Sequence, residues 1–447
     1  MKKNKVLLLG LLLAGIITIA MMPSIFRSLP TRYALRLPEP LQALALPADP
    51  TPILPTVAAS DAAAGLLTDG RVPPSVTTAE PPPSPTPRPL AEGIATTEPP
   101  TESAPTDTPA PPPTPTPWPV PAAARLNGFT HVYQEWNNCG PATMVMALTY
   151  FGRVHSQRDT AAAIRPNPED RNVTPQEMAG FVNTQEGLRS VARVNGDLNL
   201  LKRLLANEIP LIIEIGFDPP GEYRWLGWYG HYLLPVAYDD ATNQVWVYDS
   251  WLGTSEVPQT NADPNGRVLT YDELDSYWSQ FNWSYIVLYE PEQEALVSEL
   301  LGEALNDDAM WRASLERAQD DAAEQPDNAF YWFNLGTSYN ALGEHEKAVT
   351  AYDQARAIGL PWRMLWYQFG PYEAYYQAGR YDDVVLLADT TLKDRPYFEE
   401  SFYFLGLAQA ALGDEASARR NLEAADAFNP NFTLASDALA DLFPPNG

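Results

Sequence analysis

The chain begins with a charged segment followed by an unbroken apolar run. Three lysines among the first five residues precede apolar residues from Val6 to Met22. This order is typical of an export signal, and the run is at the short limit of the length that a membrane span requires. We predict a signal peptide or signal anchor over residues 1–24, preferably an uncleaved one. The rest of the chain would then be extracytoplasmic. An uncleaved segment would make the protein a single-pass cell-membrane protein, and a cleaved one would make it a secreted protein.

Residues 25–125 have neither a helical nor a strand period. Proline, threonine, alanine and serine dominate, as in EPPPSPTPRP and APPPTPTPWPVP. A segment with so few large apolar side chains cannot bury a core. We therefore predict a disordered Pro/Thr-rich linker, in which Pro81 to Pro121 as polyproline II would extend on the order of 120 Å.

Residues 126–291 combine a helical period with later strand patterns. The segment CGPATMVMALTYFG has a proline in its first turn, apolar residues on one face and a terminal glycine, which predicts a buried helix. Two further helices are predicted at TPQEMAGFVNT and DLNLLKRLLANE. Strands are predicted at IPLIIEIGF, HYLLPVAYDD, QVWVYDSW and WSYIVLYE. Helices followed by antiparallel strands indicate an α+β domain.

A repeated Leu-Gly pair marks the C-terminal part, residues 292–447. Leu301-Gly302 recurs 34 residues later as Leu335-Gly336, and Leu405-Gly406 follows 70 residues after that, which is two periods of 34 with a two-residue insertion. A period of 34 residues resembles that of tetratricopeptide (TPR) repeats, in which small residues let paired helices approach. The resemblance implies an all-α solenoid that recruits a protein or peptide, with an ordinary helical bundle as the alternative. The unit that matches best contains Trp332, Leu335, Gly336, Tyr339, Ala348, Tyr352 and Ala355.

Composition excludes several classes of partner and site. The 447 residues carry a formal net charge of -27, with no basic cluster, which argues against a nucleic-acid partner. A single cysteine allows neither an internal disulfide nor a metal site made of several thiolates. We expect no metal and no cofactor.

That single cysteine, Cys139, stands at the predicted start of a helix. A lone cysteine is more often a small buried hydrophobe than a nucleophile. At a helix start, however, unsatisfied backbone N–H groups and the helix dipole favour the thiolate. A nucleophile also needs a base, and the chain has four histidines. His131 and His155 flank the helix without an obvious orienting acid, and His345 lies in the repeat region.

His231 opens a predicted β-hairpin, HYLLPVAYDDATNQVWVYDSW. Folding this hairpin about its polar turn places Asp249 within a few positions of the histidine. A carboxylate there would orient the imidazole, although an ordinary polar pair on a hairpin is the alternative. Gln134, five residues before the thiol, offers a side-chain N–H that could hold an oxyanion together with the backbone N–H of Cys139.

The arrangement Q-x4-C-G-P-A, G-H-Y and V-Y-D-S-W resembles papain-like cysteine peptidases of the bacterial double-glycine-leader peptidase-like family. The resemblance implies Cys139 as nucleophile, His231 as general base, Asp249 as orienting acid and Gln134 as oxyanion donor. Two departures leave alternatives open. The Gln–Cys spacing is one residue short, so Asn137 or Asn138 could replace the glutamine. A serine follows Asp249 where proline is expected, so Asp239 or Asp240 could replace Asp249.

These features predict an exported, membrane-anchored cysteine peptidase that cleaves a peptide or protein by thiol acyl transfer. The repeats would recruit a protein partner. Trp225, Trp228 and Tyr229, just before the histidine, would wall the cleft, or would belong to the core. The alternative from another class is a catalytically inactive papain-fold and TPR scaffold or binding protein.

Overall fold

A computed structural model describes residues 53–60, 62–69, 120–167, 169–170, 172–219, 227–253 and 265–444. None of the helices formed by these residues is long and apolar enough to cross a membrane. The predicted signal or anchor at residues 1–24, and most of the predicted linker, lie outside them. The described residues up to Leu67 and from Val120 onwards belong to one compact unit.

A mixed α/β domain with an antiparallel sheet precedes a helical C-terminal region. The sheet has the strand order β2-β7-β3-β4-β5-β6, and β1 pairs separately with β4. Its strands are β1 Ala123–Arg125, β2 Arg189–Arg193, β3 Leu211–Phe217, β4 Tyr229–Asp239, β5 Gln244–Asp249, β6 Arg267–Thr270 and β7 Tyr285–Tyr289. Because β1 pairs through Ala124 with Tyr238, the sheet begins slightly before the predicted boundary at residue 126.

Helices cover both faces of this sheet. They are α1 Cys139–Thr149, α2 Gln157–Ile164, α3 Pro175–Phe181, α4 Leu198–Ala206 and α5 Tyr271–Trp278. The first helix is buried along nearly its whole length, and its Met144 and Leu148 share a core with Tyr232 and Leu234 of β4. Because strand residues alternate between faces, His231 lies on the opposite face from these two β4 residues. The helix start nevertheless packs beside the strand that carries the histidine, because a Cβ on Gly140 would lie 3.4 Å from the ring of Tyr232.

The C-terminal region consists of consecutive helices. They are α6 Glu294–Leu301, α7 Asp307–Glu324, α8 Ala329–Ala341, α9 His345–Ile358, α10 Gly370–Gln377, α11 Tyr381–Asp394, α12 Glu399–Ala411, α13 Glu415–Phe428 and α14 Thr433–Leu442. The first of these belongs to the sheet domain, because Val297, Leu300 and Leu301 lie in the core beneath the sheet. The change from sheet domain to helical region therefore falls after α6, later than the predicted residue 291.

Two helix pairs of this region make the same close contact. In α8, a Cβ on Gly336 would lie 2.7 Å from Tyr352 of α9. In α12, a Cβ on Gly406 would lie 2.8 Å from Leu422 of α13. Glycine at these positions lets the paired helices approach. Leu301-Gly302 has a different geometry, because Gly302 adopts φ +51° and ends α6.

Part of the predicted linker is ordered on the helical region. Leu54, Ala63 and Leu66 are buried in its core, the last two in a single helical turn, Ala63–Leu66. The Leu54 N–H donates to the carbonyl of Leu360 at 2.8 Å, and Gln319 Nε2 donates to the carbonyl of Leu66 at 2.8 Å. The expectation of disorder over residues 25–125 does not hold here. These few apolar side chains cannot form a core alone, but they can complete an existing one.

Trp228 joins the sheet domain to the helical region. It is 2% exposed and stacks between Phe281 of the sheet domain and Phe330 of α8, at centroid distances of 5.7 and 5.8 Å. Arg363 of the helical region donates to the Trp228 carbonyl at 2.9 Å. The two parts therefore share a hydrophobic core.

A second contact between the two parts is rich in carboxyl groups. Asn167 Nδ2 donates to the Tyr397 carbonyl at 2.8 Å. Beside it, burial raises the pKa of Glu400 well above its usual range, and the neighbouring charges of Glu399, Asp170 and Glu177 raise it further. Burial and the charge of Glu399 likewise raise the pKa of Asp170. The folded chain therefore keeps protons here that the unfolded chain releases.

We expect Trp228→Ala to lower the free energy of unfolding by about 3–5 kcal/mol, because it leaves a cavity in the shared core. Denaturant titration followed by circular dichroism measures the change. Leu412→Ala, at a side chain that is 51% exposed, serves as the control. If the helical signal were lost at a lower denaturant concentration while the sheet signal unfolded as in the wild type, the result would contradict a shared core.

Stability should fall as pH rises above about 4.5, where unfolded glutamates lose their protons while folded Glu400 keeps its own. Glu400→Gln removes this group, so the variant should lose less stability than the wild type between pH 5 and pH 8. Thermal melts across this range provide the measurement, with exposed Glu423→Gln as the control. Equal slopes for Glu400→Gln and the wild type would show that Glu400 does not hold an extra proton.

Candidate active site

Cys139 is the first residue of α1 and is half-buried. The helix hydrogen bonds begin with the Ala142 N–H donating to the Asn138 carbonyl at 2.9 Å. The N–H groups at the start of a helix have no partner within it, so they face the region around the thiol. Cys139 lines a narrow cleft together with His231. The structure thus brings together the predicted nucleophile and base.

The predicted hairpin joins His231 to Asp249. Strands β4 and β5 pair with Leu233 opposite Asp249, so the histidine and the aspartate are offset by two positions. His231 Nε2 lies 3.0 Å from Asp249 Oδ1, and both side chains are buried. Because Nε2 is bound to the carboxylate, Nδ1 is the ring nitrogen left for the thiol.

The Asp249 carboxylate is fully bonded, although it is completely buried. Its Oδ2 accepts a hydrogen bond from Arg267 Nη1 at 3.0 Å. Its Oδ1 also accepts hydrogen bonds from the N–H groups of Trp251 and Leu252, each at 2.9 Å. Burial alone would raise the pKa of Asp249, but His231 and Arg267 hold the pKa well below its usual range. The aspartate is therefore ionised throughout the physiological pH range.

This carboxylate determines the charge of the imidazole. Burial lowers the pKa of His231, but the charge and hydrogen bond of Asp249, with a smaller contribution from Cys139, outweigh burial and raise the pKa to about 9. An imidazolium beside the sulfur can stabilise a thiolate and can later donate a proton.

The other candidate acids lie at the far end of the hairpin. Asp239 Oδ1 accepts a hydrogen bond from the Ala241 N–H at 2.8 Å. Asp240 binds Lys202 and the Tyr271 hydroxyl. Neither contacts the histidine, because the turn directs both side chains away from the cleft.

The remaining histidines have other partners. His131 Nε2 lies 2.8 Å from the Asp249 carbonyl oxygen, behind the acid rather than beside the thiol. His155 pairs with Glu186 at 2.9 Å, a carboxylate that the sequence did not suggest. His345 Nδ1 lies 2.9 Å from Asn340 Oδ1 in the helical region.

Gln134 is bound to the serine that replaces the expected proline. The Gln134 N–H donates to the Ser250 carbonyl at 2.7 Å, and Ser250 Oγ donates to Gln134 Oε1 at 2.9 Å. Asn138 is engaged on both sides, by Gln157 and Arg165. Asn137 adopts φ +52° and lines the cleft. Gln134 and Asn137 thus remain as side-chain candidates for an oxyanion donor.

One wall of the cleft comes from the helical region. Tyr367 lines the cleft beside His231, and a Cβ on Gly230 would lie 3.0 Å from its ring. Trp228 belongs to the shared core instead, in agreement with the core alternative. Tyr229 is half-buried under the Arg363 guanidinium, 4.0 Å from its ring centroid. Trp225 lies outside the described residues.

Several residues of the site were not identified from the sequence, among them Arg267, Glu214, Asn172 and Tyr367. Only Glu214 carried a signal, as the one charged residue in the apolar strand IPLIIEIGF. The others reach the site through tertiary packing. Among the described residues, no group of three or more histidine, cysteine or acidic side chains could hold a metal ion.

Asp249→Asn should lower the pKa of His231 from about 9, because the opposing effect of burial would then dominate. The imidazolium would lose its proton at a lower pH than in the wild type. Nuclear magnetic resonance of the histidine ring, titrated from pH 5 to pH 10, measures this shift. Asp240→Asn is the matched control, and an identical His231 titration in both variants would exclude the charge effect of Asp249.

Part of this chain is similar to known proteins. A solved structure of a C39-like peptidase from Bacillus anthracis is 13% identical, with 38% of this chain and 98% of that chain covered and a TM-score of 0.29. No curated protein matches. Residues 124–282 match the sequence model of the Peptidase_C39 like family. This match supports the peptidase part of the resemblance, because residues 124–282 are similar to the Peptidase_C39 like family.

Proposed function

We propose that this protein is a cysteine peptidase that cleaves a peptide bond by thiol acyl transfer. The observation that carries the proposal is the buried His231–Asp249 pair, 3.0 Å apart, whose histidine lines the cleft that also holds Cys139 at the start of α1. A structural cysteine needs neither a histidine nor an acid that keeps that histidine charged. The family match over residues 124–282 supports the same chemistry.

In the resting site, His231 takes the thiol proton on Nδ1, and the thiolate pairs with the imidazolium. Asp249 favours this state because its negative charge stabilises the imidazolium. The start of α1 adds the partial positive charge of its N–H groups at the sulfur. Arg267 acts through Asp249, which makes it a positioning residue.

In the acylation step, the Cys139 thiolate attacks the carbonyl carbon of the scissile bond and forms a C–S bond. The negative charge moves to the carbonyl oxygen, where the Cys139 N–H and a side-chain amide of Gln134 or Asn137 would stabilise it. As the C–N bond breaks, the His231 imidazolium donates its proton to the departing amine. A thioester and a neutral imidazole remain.

In the second step, His231 removes a proton from water while the hydroxide adds to the thioester carbonyl. The C–S bond breaks, the acid product leaves, and the sulfur returns as thiolate beside the imidazolium. Asp249 stabilises the charge that forms on the histidine in this step as well.

The N-terminal segment and the helical region complete the proposal. The lysine-led apolar run at residues 1–24 supports export and membrane anchoring. The period of the Leu-Gly pairs and the two equivalent close contacts, at Gly336 and Gly406, support TPR-like packing. Such an array would recruit a protein or peptide. Through Tyr367 it also contributes to the cleft.

The catalytic roles are tested by turnover of a fluorogenic peptide library by the purified extracytoplasmic part. Cys139→Ala should abolish turnover, and Asp249→Asn should lower it by orders of magnitude, because an amide cannot stabilise the imidazolium. If Cys139→Ala keeps full activity, the nucleophile lies elsewhere. If the wild type cleaves no peptide, the binding or scaffold alternative is favoured.

Gln134→Ala and Asn137→Ala distinguish the two oxyanion candidates. Loss of the true donor should lower the acylation rate about 10²-fold. Loss of the other should leave the rate nearly unchanged. Melting temperatures separate these losses from unfolding, and Asp239→Asn, in the hairpin turn, is the control that should retain activity.

A further inference from the structure

Two buried polar side chains face the cleft beside Cys139 without a role in the proposed mechanism. Glu214 is 2% exposed and Asn172 is 5% exposed, and both line the cleft. Glu214 Oε2, and both Oδ1 and Nδ2 of Asn172, have no hydrogen-bond partner among the residues that the structure describes. An unsatisfied buried polar atom is costly, so three of them at one cleft indicate a ligand site.

The fold holds both side chains in place. Glu214 lies in the middle of β3, opposite Tyr232 of β4. The Tyr232 hydroxyl donates to the Val173 carbonyl at 2.7 Å, which ties the neighbouring segment to the sheet. The Asn172 N–H donates to Asp170 Oδ1 at 2.9 Å.

The charges at the cleft favour an uncharged ligand. Burial, and then the charge of Cys139, raise the pKa of Glu214 well above its usual range, which favours the neutral acid. Its oxygen without a partner, Oε2, accepts a hydrogen bond, or donates one when it carries the proton. A cation would meet the Arg165 guanidinium, which also lines the cleft, and an anion would meet the thiolate.

We propose that Glu214 and Asn172 form a subsite that binds an uncharged amide group of the substrate next to the scissile bond, as a side-chain carboxamide or a peptide unit. Asn172 presents both a donor and an acceptor, and Glu214 adds Oε2, so together they complement the N–H and C=O of an amide. An apolar group of the same shape would leave these atoms buried and unpaired. This inference rests on the proposed function and specifies the substrate chemistry of the same site.

The single cysteine allows a direct test with two isosteric alkylating reagents, chloroacetamide and chloroacetone, which differ by NH₂ against CH₃. In both, the thiolate displaces chloride and a C–S bond forms. Each rate is divided by the rate of the same reagent with the urea-unfolded chain. We expect the ratio of the normalised chloroacetamide rate to the normalised chloroacetone rate to be about 10 or more in the folded wild type. The subsite would make one or two hydrogen bonds to the amide that the ketone lacks.

The ratio should fall towards 1 in Glu214→Leu and in Asn172→Leu. Glu214→Gln should keep it, because a carboxamide retains a donor and an acceptor. Thr160→Val is the matched control: it removes another buried unpaired hydroxyl, away from the cleft, and should leave the ratio unchanged. A general change in thiol reactivity alters both rates and cancels in the ratio.

A wild-type ratio near 1, or a high ratio that survives both leucine substitutions, would overturn the subsite. Asn172→Ala provides a smaller change should a leucine variant fail to melt cooperatively. The test is independent of turnover. A selective thiol without peptidase activity would refute the proposed function and keep the subsite, whereas Cys139-dependent cleavage with a ratio of 1 would refute the subsite alone.

Discussion

The carboxylate of Asp249 imposes the strongest physical constraint on this domain. It is completely buried and ionised, and such a charge is tolerated inside a protein only when every oxygen is bonded. Its partners come from three places: His231 on β4, Arg267 on β6 and the N–H groups of the turn after β5. The register of three strands is therefore tied to one side chain, and the charge of the imidazole depends on it.

Two buried carboxyl groups of the same sheet have pKa values shifted in opposite directions, and their partners explain the difference. Asp249 has an arginine and an imidazolium within 3.0 Å, which stabilise its ionised form. For Glu214, burial and the nearby charge of Cys139 both raise the pKa. The same burial therefore accompanies an anion beside His231 in one place and a carboxyl group with a raised pKa at the cleft in the other.

The helical region is part of the architecture of the cleft. Trp228 lies directly before β4, three positions before His231, and its side chain is buried in the shared core. Tyr367 lies against the same strand start, at Gly230. A partner that moved these helices would therefore act on the wall of the cleft, because the contact between the two parts is continuous with it.

Features that depend on neighbours along the chain could be predicted from the sequence. The helix start at Cys139 and the hairpin that pairs His231 with Asp249 are local, because a period, a cap and a tight turn decide them. The sequence did not reveal that Arg267 binds the Asp249 carboxylate, that Tyr367 lines the cleft, or that Leu54 lies in the core of the helical region. These contacts join residues far apart in the chain, with no periodic or spacing signal between them. Which buried charge meets which partner is decided by the packing of the whole chain.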